Sequence, residues 1–273
     1  MSYQDVALHT FTTKPWIITE CIENFAKREI GGISIWRETV EDCDLKKVRE
    51  HYTAAGLTPV SYVRGGFFTA IEEATRQEHL ATNRKWLQDA AELGMPSVVL
   101  VCGATVGQSP LTNRNQIRDG IGAIVGEAAK LGIELLIEPL HPCYCGNRSA
   151  IPTLKAANDL CEEIAAPNLK VAVDVYHVWW DHELESELKR CADNGWLGSY
   201  HICDYKAEPA DMLLDRGVMG EGCCNLSEID QWVVQDNGFQ GLREIEIFSA
   251  EWWQKDQHEF LDHILKSYDE IYK

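Results

Sequence analysis

The sequence predicts an α/β fold, a (β/α)₈ TIM barrel that fills residues 1–273 as one domain, and three observations predict it. The length of 273 residues suits one barrel, which typically takes about 250. Short β-rich runs alternate with longer amphipathic stretches from end to end, eight times over. No low-complexity linker or break in composition marks a second unit.

The strand candidates, in order, are Asp5–His9, Ile33–Trp36, Thr58–Val63, Ser97–Cys102, Ile133–Pro139, Leu169–Val175, Gly198–Cys203 and Arg243–Phe248. Between them apolar residues recur with helical period. Leu80, Leu87 and Ala91 share one face, as do Leu226, Ile229 and Val233, and Leu261, Ile264, Leu265, Tyr268 and Ile271 form the last helix. Gly56, Gly94 and Gly132 stand where helices must stop before the next strand. Eight strand–helix units with right-handed crossovers leave a closed parallel barrel as the simplest layout. An open doubly wound sheet would place a glycine-rich turn after the first strand, where this chain reads H-T-F-T-T-K-P. Two connections are long, His141–Pro152 and Asp204–Asn225, and both follow strands on the side where barrel enzymes build their sites.

A net charge of −18 and the lack of a Lys/Arg cluster argue against a nucleic-acid partner, whose binding depends on neutralising phosphates. No apolar run approaches membrane-spanning length. The N-terminus has no basic patch followed by an apolar stretch, so a cytoplasmic location is expected. The ten cysteines are scattered through strands and helices without zinc-ribbon spacing, which points to reduced thiols rather than disulfides.

In a barrel all eight strand ends converge on one rim, so ionisable residues there are the functional candidates. They are His9, Arg37, Arg64, Glu138, Asp174, His201 and Glu246, the last four from consecutive strands. Two Glu, one Asp and one His make an oxygen-rich ligand set with one nitrogen. It suits one divalent cation, Mn²⁺ foremost, with Mg²⁺, Co²⁺ or Zn²⁺ admissible. Period two puts Glu244 on the same face as Glu246 but deeper, which leaves it as an alternative ligand. Trp36, Phe67, Phe68, Trp252 and Trp253 are candidates to stack on a sugar ring or to pack between loops. His9, Trp36, Arg64 and His141 are the rim candidates for contacts to substrate.

The segments I-E-P-L-H-P (Ile137–Pro142), V-D-V-Y-H (Val173–His177), Y-H-I-C-D (Tyr200–Asp204), M-G-E-G (Met219–Gly222) and E-I-E-I-F (Glu244–Phe248) resemble the sugar phosphate isomerase/epimerase superfamily. These are xylose isomerase-like barrels that include ketose 3-epimerases and inosose isomerases and dehydratases. The resemblance covers essentially the whole chain. It implies that Glu138, Asp174, His201 and Glu246 are metal ligands and that His177 contacts substrate. It also implies that Glu138 and Glu246 double as the acid/base pair. Arg216 resembles the substrate-contacting arginine, with one residue more before the glycine than the epimerases have. A dimer or tetramer is implied as well.

A proton beside a carbonyl is too weakly acidic to leave unaided. A cation on the carbonyl and a neighbouring hydroxyl stabilises the enediolate, one carboxylate takes the proton and a second returns it. The expected activity is therefore an isomerase or epimerase of a keto- or aldo-sugar or a cyclic polyol ketone. A dehydratase or lyase using the same site is the alternative. An endonuclease IV-like repair enzyme shares the barrel but is disfavoured by the charge. No phosphate cradle is evident.

Overall fold

Eight parallel strands pair in chain order, and the last returns to the first to close the barrel. The computed structural model describes residues 2–273. The strands are β1 (Tyr3–His9), β2 (Ile30–Trp36), β3 (Thr58–Gly66), β4 (Ser97–Val101), β5 (Glu134–Ile137), β6 (Leu169–Asp174), β7 (Leu197–Ile202) and β8 (Arg243–Ile245). The helices are α1 (Ile18–Lys27), α2 (Leu45–Ala54), α3 (Glu73–Leu93), α4 (Pro110–Lys130), α5 (Leu154–Ile164), α6 (Val175–Val178), α7 (Leu184–Asp193), α8 (Leu226–Asp230) and α9 (Gln257–Tyr272).

All eight expected strands are present, with shifted bounds. β5 and β8 stop one residue before Glu138 and Glu246, yet the ladder reaches both. Glu138 N–H donates to the Leu100 carbonyl and Glu246 N–H to that of Ile202, each at 3.2 Å. Both side chains are thus rooted in the sheet rather than in a loop. β3 runs three residues past its expected end because Gly66, at φ +108°, passes so close to the Val101 carbonyl that any Cβ would collide with it. The Asn83 side chain secures this passage by accepting from Gly66 N–H and donating to its carbonyl, both at 2.7 Å.

Helix ends follow local chemistry. The side chains of Ser109, Thr153 and Asp256 accept from the first-turn N–H groups of α4, α5 and α9, and Pro110 opens α4. Gly56, Gly94 and Gly132 all have positive φ. The Leu226–Val233 face is a correction. The chain forms the short α8 and then widens into a π-helical segment over Gln231–Asp236, although Leu226, Ile229 and Val233 are all buried. Among the described residues no helix is long and apolar enough to cross a membrane.

The main core lies between the sheet and the helices. A smaller cluster of Trp36, Val63, Val99, Leu136, Ala172 and Phe248 fills the barrel. Each fully buried Leu, Ile or Phe contributes about 1.5–3 kcal/mol, so the helix–sheet layer carries cohesion and the rim is left to polar side chains. All ten cysteines are free thiols.

Candidate metal centre

Glu138, Asp174, His201 and Glu246 meet at the rim ends of β5 to β8. One donor atom from each lies within 4.8 Å of the others, and all four residues are buried. Asp174 and His201 are lateral partners in the β6–β7 ladder. Three carboxylates so close and so dry repel one another, and desolvation costs several kcal/mol per ion. Two donor atoms of the group, Glu138 Oε1 and His201 Nδ1, are buried without any hydrogen-bond partner. Orphaned donors in an oxygen-rich set with one imidazole nitrogen fit a divalent cation.

Local chemistry orients each donor. Asp174 Oδ1 accepts from Tyr176 N–H at 2.9 Å, capping the single turn α6 and bringing His177 round to the same cavity. Burial pushes the Asp174 carboxyl up, with Arg216 opposing. His201 turns Nδ1 toward Glu138 Oε1 (3.4 Å) and Glu246 Oε2 (3.8 Å), and Nε2 toward Glu244 Oε1 (3.7 Å). Burial disfavours its charge, but Glu244, Glu138 and Glu246 together push it well above the usual imidazole range.

Glu244 points inward as its period predicts, yet it stands apart from the four-residue group and forms the floor beneath it. Its carboxylate accepts from Ser34 at 2.5 Å, from Ser61 at 2.8 Å and from Ser199, and lies 3.2 Å from His9 Nε2. Burial alone would raise its pKa, but His201, His9 and Ser199 hold it at about 2.

Arg216 enters from the loop after β7. Its Nη1 donates to Asp174 Oδ2 at 2.9 Å and to Glu246 Oε2 at 3.0 Å, and its Nη2 lies 3.3 Å from His177 Nε2. The guanidinium is sandwiched between the Tyr176 and Phe248 rings, 4.4 and 4.6 Å from their centroids. Burial and the Arg216 charge hold the His177 ring neutral. Glu246 is kept ionised: burial opposes its charge, but His9 and Arg216 overcome that penalty.

Above the cluster opens a cavity of about 210 Å³. Trp36, Arg64, Glu138, His177, Arg216 and Glu246, all read from the sequence, line it. Two expected substrate contacts stand off its wall. His9 is fully buried below, with Nδ1 3.0 Å from Glu246 Oε1. His141 leans outward, stacked on Tyr205 and edge-on to Trp180. Arg37 also turns away, over the Trp86 ring. Trp252 packs on Phe260 and Phe68 is buried against Gly120, whereas Trp253 backs Phe11 and Phe248.

Sequence reasoning missed Phe11, Arg148, Leu213 and Leu214 on the cavity wall. Phe11 stacks on Trp36 at 4.8 Å and meets Phe248 edge-on at 5.2 Å. Phe248 shares its face with Glu246, as period two predicts, and lies on the wall beside it. The two long loops meet here, since Tyr144 and Tyr176 both donate through their hydroxyls to the Met212 carbonyl.

The second loop is clipped by one buried side chain. Asp204 Oδ2 accepts from Gly220 and Gly222 N–H at 3.0 and 2.9 Å, and Oδ1 from Tyr205 and Cys224 N–H at 2.8 and 3.1 Å. Gly222 is required here because a Cβ would strike that carboxylate. Asp204→Ala is expected to cost about 1–3 kcal/mol of local stability, read as faster amide exchange across residues 205–224 with α1 to α4 unchanged. Unaltered exchange in that loop would contradict the clip.

A family model described as xylose isomerase-like TIM barrel matches residues 20–264. Among solved structures, protein SMc04130 from Sinorhizobium meliloti 1021 is 34% identical, with TM-score 0.94 over 97% of this chain and 98% of that one. The IolI protein with a bound zinc atom is 19% identical, with TM-score 0.84 over 97% of each chain. D-psicose 3-epimerase, solved in the presence of D-fructose, is 16% identical, with TM-score 0.78 over 97% of this chain and 98% of that one. A 26%-identical match to the human Ras-related protein Rab-31 covers 38% of this chain and 64% of that protein. That match spans well under half of this chain and less than two thirds of that protein, and it carries no argument.

Proposed function

Because the chain belongs to the xylose isomerase-like TIM barrel family, we propose that it is a divalent-metal-dependent isomerase or epimerase of a keto- or aldo-sugar or a cyclic polyol ketone. The observation that carries this reading is the buried group of Glu138, Asp174, His201 and Glu246, with its orphaned Oε1 and Nδ1 atoms, at the base of a rim cavity. The zinc bound in the IolI structure and the sugar chemistry of the epimerase neighbour support it.

Those four residues would hold the cation, which supplies Lewis-acid polarisation of a substrate carbonyl when bound. Glu138 and Glu246 come from β5 and β8, with β6 and β7 between them, and so reach the cavity from different sides of the rim. One removes the proton beside the carbonyl and the other returns it. Neutral His177 offers a hydrogen bond to a substrate oxygen while Arg216 fixes its ring. Phe11, Trp36 and Phe248 present apolar surface to the C–H face of a sugar and exclude water from the reacting carbon.

Incubation of the metal-loaded enzyme with a panel of ketoses, aldoses and inososes in deuterated water tests this. Deuterium is expected at the carbon beside the carbonyl, with loss of exchange on chelation and recovery on adding Mn²⁺, Co²⁺ or Zn²⁺. An unsaturated product would instead establish the dehydratase outcome. Exchange that persists in the chelated, folded protein would remove the metal from the reading.

A further inference from the structure

We propose that Arg64 and Arg148 form an oxyanion subsite at the cavity mouth, so that the substrate carries a carboxylate or phosphate group away from the reacting carbon. This rests on the metal-dependent sugar reading and narrows it to acidic sugars.

The first observation is an imbalance of pairing. With 43 acidic against 25 basic residues, carboxylates are plentiful for any arginine of this chain. Arg28, Arg37, Arg76, Arg84, Arg114, Arg118, Arg190, Arg216 and Arg243 all sit within ion-pair distance of one. Arg49 is unpaired but exposed to water. Arg64 and Arg148 alone combine partial burial with no carboxylate partner among the described residues, and both line the cavity. Desolvating a guanidinium without a counter-charge is unfavourable, so two of them on one wall mark a place where an anion is expected.

The surroundings reserve that place for a ligand. Arg64 is held by aromatic faces, 5.7 Å from the Trp36 centroid and 5.1 Å from that of Phe67, and its Nε is buried without a partner. Arg148 lies 5.9 Å from the Tyr144 centroid. The neighbouring carboxylate of Glu38 is taken by Arg37 Nε at 3.1 Å. Lys14, also on the wall and without an ion pair, rests 5.1 and 4.7 Å from the Phe11 and Trp253 centroids and adds a third positive charge. With a dication bound, Arg216 and that cation would balance the charges of Glu138, Asp174 and Glu246, leaving Glu138, the carboxylate of the three that acts on Arg64, less free to serve as its counter-ion. Burial and the charges of Arg37 and Arg148 push Arg64 below its usual pKa range, with Glu38 and Glu138 opposing. A planar guanidinium fork matches the oxygen geometry of carboxylate and phosphate, whereas sugar hydroxyls need no such charge. One cavity holds both arginines and both acid/base glutamates, so a single substrate reaches all four.

The test uses the metal-loaded full chain and three ligands that differ at one end only: D-fructose, D-fructose 6-phosphate and the ketouronate with a carboxylate at that carbon. Calorimetric titration at low ionic strength is expected to show at least about tenfold tighter binding of one or both anions than of the neutral sugar. Arg64→Gln and Arg148→Gln should each shrink that ratio, and the double variant should bring it to within about twofold of unity. Arg64→Lys, which keeps the charge without the fork, should restore part of it. The relative affinity of the two anions decides between phosphate and carboxylate. A wild type with no anion preference, through equal affinity or through absence of binding, overturns the proposal. So does a double variant that keeps the preference. Anion selectivity without deuterium exchange would sink the isomerase reading and leave the subsite standing, and exchange without selectivity would do the reverse.

Discussion

Glu246→Gln is expected to lower turnover by about 10²–10⁴-fold, the range typical of a lost acid/base group, while the protein stays folded. The glutamate binds its surroundings through both oxygens, Oε1 beside His9 Nδ1 at 3.0 Å and Oε2 beside Arg216 Nη1 at 3.0 Å. Glutamine keeps the volume and one acceptor oxygen but loses the negative charge that the proposed metal-donor and base roles require. It also leaves Arg216 with Asp174 as its only carboxylate partner. Deuterium exchange per bound metal, with metal content measured on the same sample, separates the two losses. A variant that retains a tenth of the wild-type exchange at full metal occupancy would remove Glu246 from the acid/base pair.

Glu244→Ala is expected to destabilise the fold by about 3–5 kcal/mol, the range for stripping one member from a buried charged network. It would leave the hydroxyls of Ser34, Ser61 and Ser199 without their shared acceptor and His9 and His201 without the carboxylate beneath them. Glu244→Gln, which keeps acceptor capacity but not charge, should lose less. The pH dependence has a definite sign. The folded pKa of about 2 lies below that of an unfolded glutamate, near about 4.3. The charge therefore stabilises the fold fully above the unfolded value, and the contribution disappears as pH falls toward 2. Urea unfolding with chelator present should show the gap between wild type and Glu244→Gln at neutral pH closing between about pH 4.3 and about 2. A gap independent of pH, or a loss under about 1 kcal/mol for the alanine variant, would contradict this account.

The barrel was legible because alternation of strand and helix is a periodic signal, and a closed barrel turns strand ends into neighbours. Hence four acids and bases from stretches far apart in sequence read as neighbours at one rim. Glu244 was correctly turned inward, but period two gives a face and not a depth. That it forms a floor depends on three serines from β2, β3 and β7, each unremarkable in its own segment. Arg148, Leu213 and Leu214 sit in loops, where no period exists to say which side chain turns toward the cavity. The run past Val63 into Gly65 and Gly66 reads as a strand end by propensity. It continues because the tight approach to Val101 admits only glycine. His9 and His141, expected to contact substrate, stand off the cavity wall because neighbours such as Glu246 and Tyr205 decide whether a ring tilts inward, downward or outward.

The Asp204 clip fixes the two ends of its loop against each other. Its hold uses backbone amides at Tyr205, Gly220, Gly222 and Cys224, so it asks nothing of the side chains at Leu213 and Leu214, which shape the cavity. Those two side chains can therefore vary while the amides that anchor the loop ends stay as they are.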